Sequence, residues 1–410
     1  MLSAGQVAAA VIPFLAAPVL GRLYTPADYG VLGTLSSLSS VLGTVGNWQL
    51  SQAIIIERRN TNAAVLRSLC IITSCITGLL TAVGVCLFLV FSSANPLSPV
   101  SRAWILLLPL TSFISGYSTS LNAVAVRFSL FKRIGLFQST CAFVAIGISL
   151  GFAKSRFGGT GLILAYAFTQ LSSLFLFLAL PVHVRRIPRW TWNRRRMLAM
   201  LRKHKGFTLY TLPTSFVGMF TMNTPIYALS VLHADTQIGL FTRANQLMSL
   251  PANLIGSSIA QVFQQRAASD FRDHGSCWPI YKRTFLVLLG IGALPALLFS
   301  LFAPTIFGTF LGPKWTAAGG VARLIAPMLI LRVICNPLSQ VFYILKKQHE
   351  DFLLTLGTGL AAIIALLSIA MATGSPVAVI VGYSASYSLI YLLYIARGAT
   401  HARKELCHPS

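Results

Sequence analysis

Acidic residues are scarce in this chain. Its 410 residues include eight Asp and Glu against 32 Lys and Arg, for a formal net charge of +24. The eight (Asp28, Glu57, Asp235, Asp270, Asp273, Glu350, Asp351 and Glu405) all fall in breaks between apolar runs, at run ends or in the tail. A pump for organic cations wants a membrane-embedded carboxylate to bind and exchange its cargo, and none is placed for that. Enzyme chemistry is equally short of parts: there is no glycine-rich phosphate loop, no zinc spacing and no plausible triad. The seven histidines are scattered, and the seven cysteines, with Cys70 and Cys75 the nearest pair, show no metal or redox spacing. The cysteines read as small hydrophobic residues. No cofactor or metal is expected.

What is abundant is apolar. The chain is 55% hydrophobic and 10% charged, with a mean hydropathy of +0.73, which places it in a bilayer. Runs such as Ile134 to Ala153, Leu162 to Val182 and Phe352 to Met371 are long enough to cross about 30 Å of hydrocarbon as helices. No period-two alternation suggests a membrane β-barrel. Breaks divide the chain into about twelve spans, starting near residues 2, 30, 64, 101, 134, 158, 207, 245, 283, 318, 352 and 375. The first, Leu2 to Gly21, lacks a basic leader and a small-residue cleavage pattern and is expected to be a retained span. The polar stretch GRLYTPADYG, residues 21 to 30, is then the corner between spans one and two, with Pro26 and Gly30 shaping it and Thr25 and Asp28 bonding local backbone.

Orientation follows the basic residues of short connections. The even-numbered connections and the tail carry 23 Lys and Arg and the odd-numbered ones seven, so both termini are expected in the cytoplasm. The longest polar interruption, residues 183–206, carries nine of them together with Trp190 and Trp192. It reads as a cytoplasmic linker on the anionic leaflet, not as a nucleic-acid site. It separates an N-terminal six-helix bundle (1–182) from a C-terminal one (207–410).

The two halves show a repeat. An offset of 209 places Ser36 on Asn245, Ser40 on Ser249, Thr44 on Asn253 and Gln52 on Gln261. These residues recur mostly at steps of four, making one polar stripe per helix, to which Asn47 adds another amide. Lipid does not tolerate such stripes, so they face a shared cavity or bond neighbouring helices. Equal span numbers with the same starting side imply a parallel pseudo-repeat.

Two arginines fall inside spans. Arg332 lies about 21 Å from the cytoplasmic end of its helix, near the midplane, where an arginine costs roughly 2.5–3.5 kcal/mol unless it meets water or a partner. Function or structural pairing both explain it. Arg67, about one turn inside its span, either snorkels or acts. Arg22 and Arg243 sit at the outer ends of spans one and eight, to rim a cleft or to anchor on lipid phosphates. Cationic residues without embedded acids point to an anionic cargo. Glu57 is the nearest candidate for proton coupling, unless it pairs with Arg58 or Arg59.

The stretches PVLGRLYTPADYGVLGTL, IGLFTRANQLMSLPANLIGSSIAQVFQQRAA and FLGPKWTAAGGVARLIAPMLILRVICNPLSQVFYILKKQ resemble the Wzx-type bacterial polysaccharide repeat-unit flippases of the multidrug, oligosaccharidyl-lipid and polysaccharide exporter superfamily. The resemblance implies twelve helices in two bundles, alternating access through a cationic cavity, and residence in the bacterial inner membrane. It implies undecaprenyl-diphosphate-linked oligosaccharide as cargo, and a polysaccharide polymerase and chain-length machinery as partners. By position it singles out Arg22, Arg243 and Arg332. Family members carry a longer first helix preceded by a cytoplasmic segment. The alternatives are a peptidoglycan-precursor flippase, which has two additional helices, and a multidrug cation exporter.

Overall fold

The computed structural model describes residues 4–57, 59–91, 104–153, 159–175, 193–345 and 347–403. Among these the regular structure is helical, with no strand. The chain divides into two compact units, Met1–Phe220 and Thr221–Ser410. The first holds α1 (Ala4–Leu23), α2 (Pro26–Val45), α3 (Ser51–Ile56), α4 (Asn60–Phe91), α5 (Leu108–Arg127), α6 (Phe131–Phe152), α7 (Thr160–Ser172) and α8 (Arg194–Lys203). After a π turn at Phe207–Thr211, α9 (Leu212–Val231) runs across the boundary. The second unit continues with α10 (Asp235–His274), α11 (Trp278–Leu311), α12 (Thr316–Leu338), α13 (Gln340–Ile344), α14 (Gln348–Thr373) and α15 (Pro376–Arg403).

Five described segments are long and apolar enough to cross a membrane: Asn60–Phe91, Lys132–Phe152, Pro313–Phe342, His349–Thr373 and Pro376–Arg403. The eighth expected span begins at Asp235, well before residue 245. Its polar first turns, with Asp235, Thr236, Gln237 and Arg243, conceal the helix from a reading by hydropathy alone.

The corner between α1 and α2 is a capping box. The Thr25 hydroxyl accepts from the Asp28 amide at 3.3 Å, and the Asp28 carboxylate accepts from the Thr25 amide at 2.8 Å. Pro26, in the first turn, has no amide to leave orphaned. The Tyr24 hydroxyl then donates to the Ser149 carbonyl at 2.6 Å, tying this corner to the end of α6.

In the first unit α2 and α4 pack on α5 and α6 packs on α7; in the second, α10 and α11 pack on α12 and α14 packs on α15. In the first unit α5 admits the end of α2 through glycine: a Cβ at Gly116 would stand 2.9 Å from the Gly46 carbonyl carbon, and one at Gly46 3.0 Å from Gly116 Cα. Small residues thus let backbones touch where lipid provides no hydrophobic drive between helices. In the second unit Gly319 of α12 does the same against α11, where an added Cβ would overlap the backbone of Pro304. Pro304 also lacks the N–H that the Ser300 carbonyl would receive in a helix. Arg323 of α12 supplies donors there, its Nε to the Ser300 carbonyl at 2.7 Å and Nη2 to that of Leu301 at 2.6 Å.

The division between units falls after Phe220, outside the basic linker. Helix α8 explains why the linker's second part belongs to the first unit. Its Met197 is buried in a core with Leu50, Ile54, Leu66 and Cys70, while Arg194, Arg195 and Arg196 stay exposed. Residues 176–192, including Trp190 and Trp192, lie outside the described residues.

Candidate functional site

The second unit contains a cation inside a candidate membrane span, Pro313–Phe342. Arg332, half-buried on α12, donates from Nη1 to the Ser249 hydroxyl of α10 at 3.5 Å, its sole hydrogen bond among the described residues. Ser249 in turn donates to Asn245 Oδ1 at 3.2 Å, one turn back on α10. The α10 stripe and Arg332, read separately from sequence, therefore meet. Helix α12 also packs on α15, which carries Tyr383, Tyr387 and Tyr391. No carboxylate bonds Arg332 among the described residues. Such a guanidinium has donors to spare for a planar, multi-oxygen anion.

Arg243, placed by sequence at an outer rim, is only 4% exposed and donates to Gln246 Oε1 at 2.9 Å. Asn253 and Gln261 belong to α10, but their side chains lie outside the described residues. Arg22 is exposed at the end of α1. Arg67, 4% exposed, is buried in the first unit and does not snorkel.

The first-unit stripe is spent on its own helix. Ser36 donates to the Gly33 carbonyl at 3.1 Å, Ser40 to that of Ser37 at 2.8 Å and Thr44 to that of Ser40 at 2.9 Å. This is the local back-bonding open to short hydroxyl side chains. Asn47 is buried; its Oδ1 accepts from the Gln49 amide at 3.1 Å and its Nδ2 donates to the Gly116 carbonyl at 3.4 Å. Gln52 is exposed on α3.

Glu57 follows α3 in the connection to α4 and is 7% exposed. Among the described residues its partners do not include Arg59, and Arg58 lies outside the described residues. Lys203 Nζ donates at 2.6 Å, Asn62 Nδ2 at 3.2 Å, and His204 Nε2 lies at 3.2 Å. The Lys203 bond chiefly, with Asn62 and His204, holds the carboxyl down to about 2 against the opposing effect of burial. Beside it, Arg127 at the end of α5 donates to the carbonyls of Ile54 (2.9 Å) and Glu57 and to Asn60 Oδ1 (3.0 Å). A pocket of about 510 Å³ opens here, lined by Ile56, Glu57, Arg59, Asn62, Lys203 and His204. The arrangement fastens α8 to the α3–α4 connection, and its carboxylate stays ionised throughout the neutral range.

A family model described as "Polysaccharide biosynthesis protein" matches residues 19–319, most of the chain and all of its first unit from the end of α1 onward. The chain belongs to that polysaccharide biosynthesis protein family. Among its relatives is the succinoglycan biosynthesis transport protein ExoT of Rhizobium meliloti (strain 1021), 22% identical over 356 residues. That alignment covers 82% of this chain, which spans 65% of the relative's length. Its fold is similar to that of the lipid II flippase MurJ in an inward closed conformation, with a TM-score of 0.75, 14% identity, and 97% of this chain and 87% of that one covered. An inward-facing multidrug resistance MATE family transporter of the MOP superfamily is similar at a TM-score of 0.65 and 15% identity, covering 98% and 96%.

Sequence reasoning on this family member missed the partners more than the centres. Lys203 and His204 were read as undifferentiated linker charge, and their distance of about 146 residues from Glu57 hid the pairing. The packed tyrosines of α15 carried a signal: GYSASYSLIYLLY repeats Tyr at 383, 387 and 391, one face of a helix.

Proposed function

We propose that this protein is a flippase that carries undecaprenyl-diphosphate-linked oligosaccharide units from the cytoplasmic to the periplasmic leaflet of the bacterial inner membrane, with both termini in the cytoplasm. The observation that carries the reading is Arg332: a cation inside an apolar span, half-buried, with one long hydrogen bond to Ser249 and no bonded acid among the described residues. Burying an uncompensated guanidinium is expensive, and a diphosphate would relieve that cost through paired N–H to oxygen bonds. Arg243, buried on α10, would add to the positive charge of the second unit. Family membership and the ExoT relative favour polysaccharide cargo. The peptidoglycan-precursor alternative has only the likeness of fold to MurJ. The shortage of acids weighs against a cation exporter.

Arg332→Ala should abolish surface polysaccharide in cells that rely on this protein while leaving its membrane abundance unchanged; Arg332→Lys should retain part of the activity. Normal polysaccharide with Arg332→Ala removes the residue from the mechanism. Proton coupling at Glu57 would require the Lys203 contact to open first, because the closed pair keeps the carboxylate ionised. Transport into vesicles that ignores an imposed proton gradient would end that role.

A further inference from the structure

The pocket of about 510 Å³ beside Glu57 lies at the amino end of the apolar span Asn60–Phe91, the level at which hydrocarbon gives way to headgroups and water. Its wall is mostly polar. Ile56, also part of the wall, is nonetheless 62% exposed, and its neighbour Ile55 on α3 is 39% exposed. Large apolar side chains left bare beside a group of charges suit the boundary where an acyl chain meets its headgroup.

The charges of the wall are unevenly used. Glu57 is saturated, with Lys203 Nζ and His204 Nε2 on its Oε2 at 2.6 and 3.2 Å and Asn62 Nδ2 on its Oε1 at 3.2 Å. The exposed Arg59 guanidinium, by contrast, makes no hydrogen bond or ion pair among the described residues. Lys203, its side chain 52% exposed, spends one of three N–H donors on Glu57 and keeps the others. Two cations against one neutralised carboxylate leave the pocket positive, and Asn62, in the first turn of α4, sits at the positive end of that helix. A phosphodiester fits these donors through charge-assisted bonds, and hydroxyls on its far side fit the free Oδ1 of Asn62. An ethanolamine headgroup fits worse, because its ammonium would meet a carboxylate that already holds three donors. We propose that this pocket binds one anionic phospholipid of the phosphatidylglycerol class, its phosphate on Arg59 and Lys203, its glycerol hydroxyls at Asn62 and its acyl chains over Ile56.

The site depends on the placement of the chain in a bilayer and not on its cargo, so it stands or falls apart from the flippase reading. The purified full chain in detergent is titrated with phosphatidylglycerol carrying a fluorophore on one acyl chain. The bound probe is then displaced with unlabelled phosphatidylglycerol, phosphatidylethanolamine or inorganic phosphate, and the first should displace it at the lowest concentration. Arg59→Gln removes an exposed side chain that holds nothing in the fold, and should weaken the probe about tenfold, as expected for a lost charge-assisted bond. Arg195→Gln removes the same charge from the exposed surface of α8 outside the pocket, and should weaken it by less than about twofold. Equal losses in the two variants overturn the site, because diffuse attraction to a basic chain would explain both. Displacement by phosphatidylethanolamine as readily as by phosphatidylglycerol also overturns it, as does a probe that does not bind the unaltered chain. Displacement by inorganic phosphate at the same concentration as phosphatidylglycerol overturns the lipid as occupant.

Discussion

The second span of each unit begins from a similar pattern and ends as a different object. In the first unit it breaks: α2 stops at Val45, Trp48 and Gln49 adopt left-handed φ values of 51° and 59°, and α3 restarts at Ser51. In the second it runs unbroken as α10 for 40 residues. Left-handed backbone costs a non-glycine residue roughly 1–2 kcal/mol. Asn47 holds the break by bonding both the Gln49 amide and the Gly116 carbonyl, and the Gln49 side chain caps the Thr44 carbonyl at 3.1 Å. On α10 Ser249 instead bonds Asn245 and Arg332. Matching residue types are thus spent on the break in one unit and gathered at a half-buried arginine in the other.

Three experiments sharpen that contrast. The largest loss of stability should come from the helix crossings. Gly319→Ala forces a Cβ into the Pro304 backbone, which has no room to give, and should cost at least about 3 kcal/mol. Gly116→Ala should cost less, because the Ser74 side chain that it also meets can rotate away. Thermal unfolding in detergent ranks them, and a Gly116 variant as damaged as the Gly319 one would reverse the order.

Next come the two asparagines. Asn47→Ala removes the bonds that hold the break and leaves buried backbone groups unmet, for a loss of about 1–2 kcal/mol. Asn245→Ala should shift the melting point by little and instead weaken lipid binding at Arg332 through Ser249. Equal destabilisation by both would show that α10 is as architectural as α2.

The smallest effect at neutral pH is that of Glu57→Gln. With the folded carboxyl at about 2, below the ordinary value of 4.5, its stabilisation is complete above pH 4.5 and disappears as pH falls towards 2. The variant should be modestly less stable at pH 7, lack that acid-side slope, and keep the pH profile of transport between 5 and 8. A displaced profile would mean that the carboxyl titrates during the cycle.

Much was readable along the chain. The turn at Thr25 to Asp28 was legible because a capping box involves residues three apart, and hydropathy located most spans because hydrocarbon imposes its own length. The start of α10 was missed where polar turns precede the apolar ones. The Lys203 partner of Glu57 was not legible, because Arg59 is the nearer charge in sequence and Lys203 the nearer in space.

The sequence by itself determined that this is a helical membrane protein with a cationic, acid-poor interior, because composition and run length answer to the solvent around the chain and not to the fold. Only the tertiary structure decided which polar groups satisfy one another. Ser36, Ser40 and Thr44 turned to carbonyls of their own helix, while Arg332 came to rest beside Ser249. Hydrogen bonds of about 3 Å depend on which helix faces which, and no spacing along a single helix specifies its neighbour.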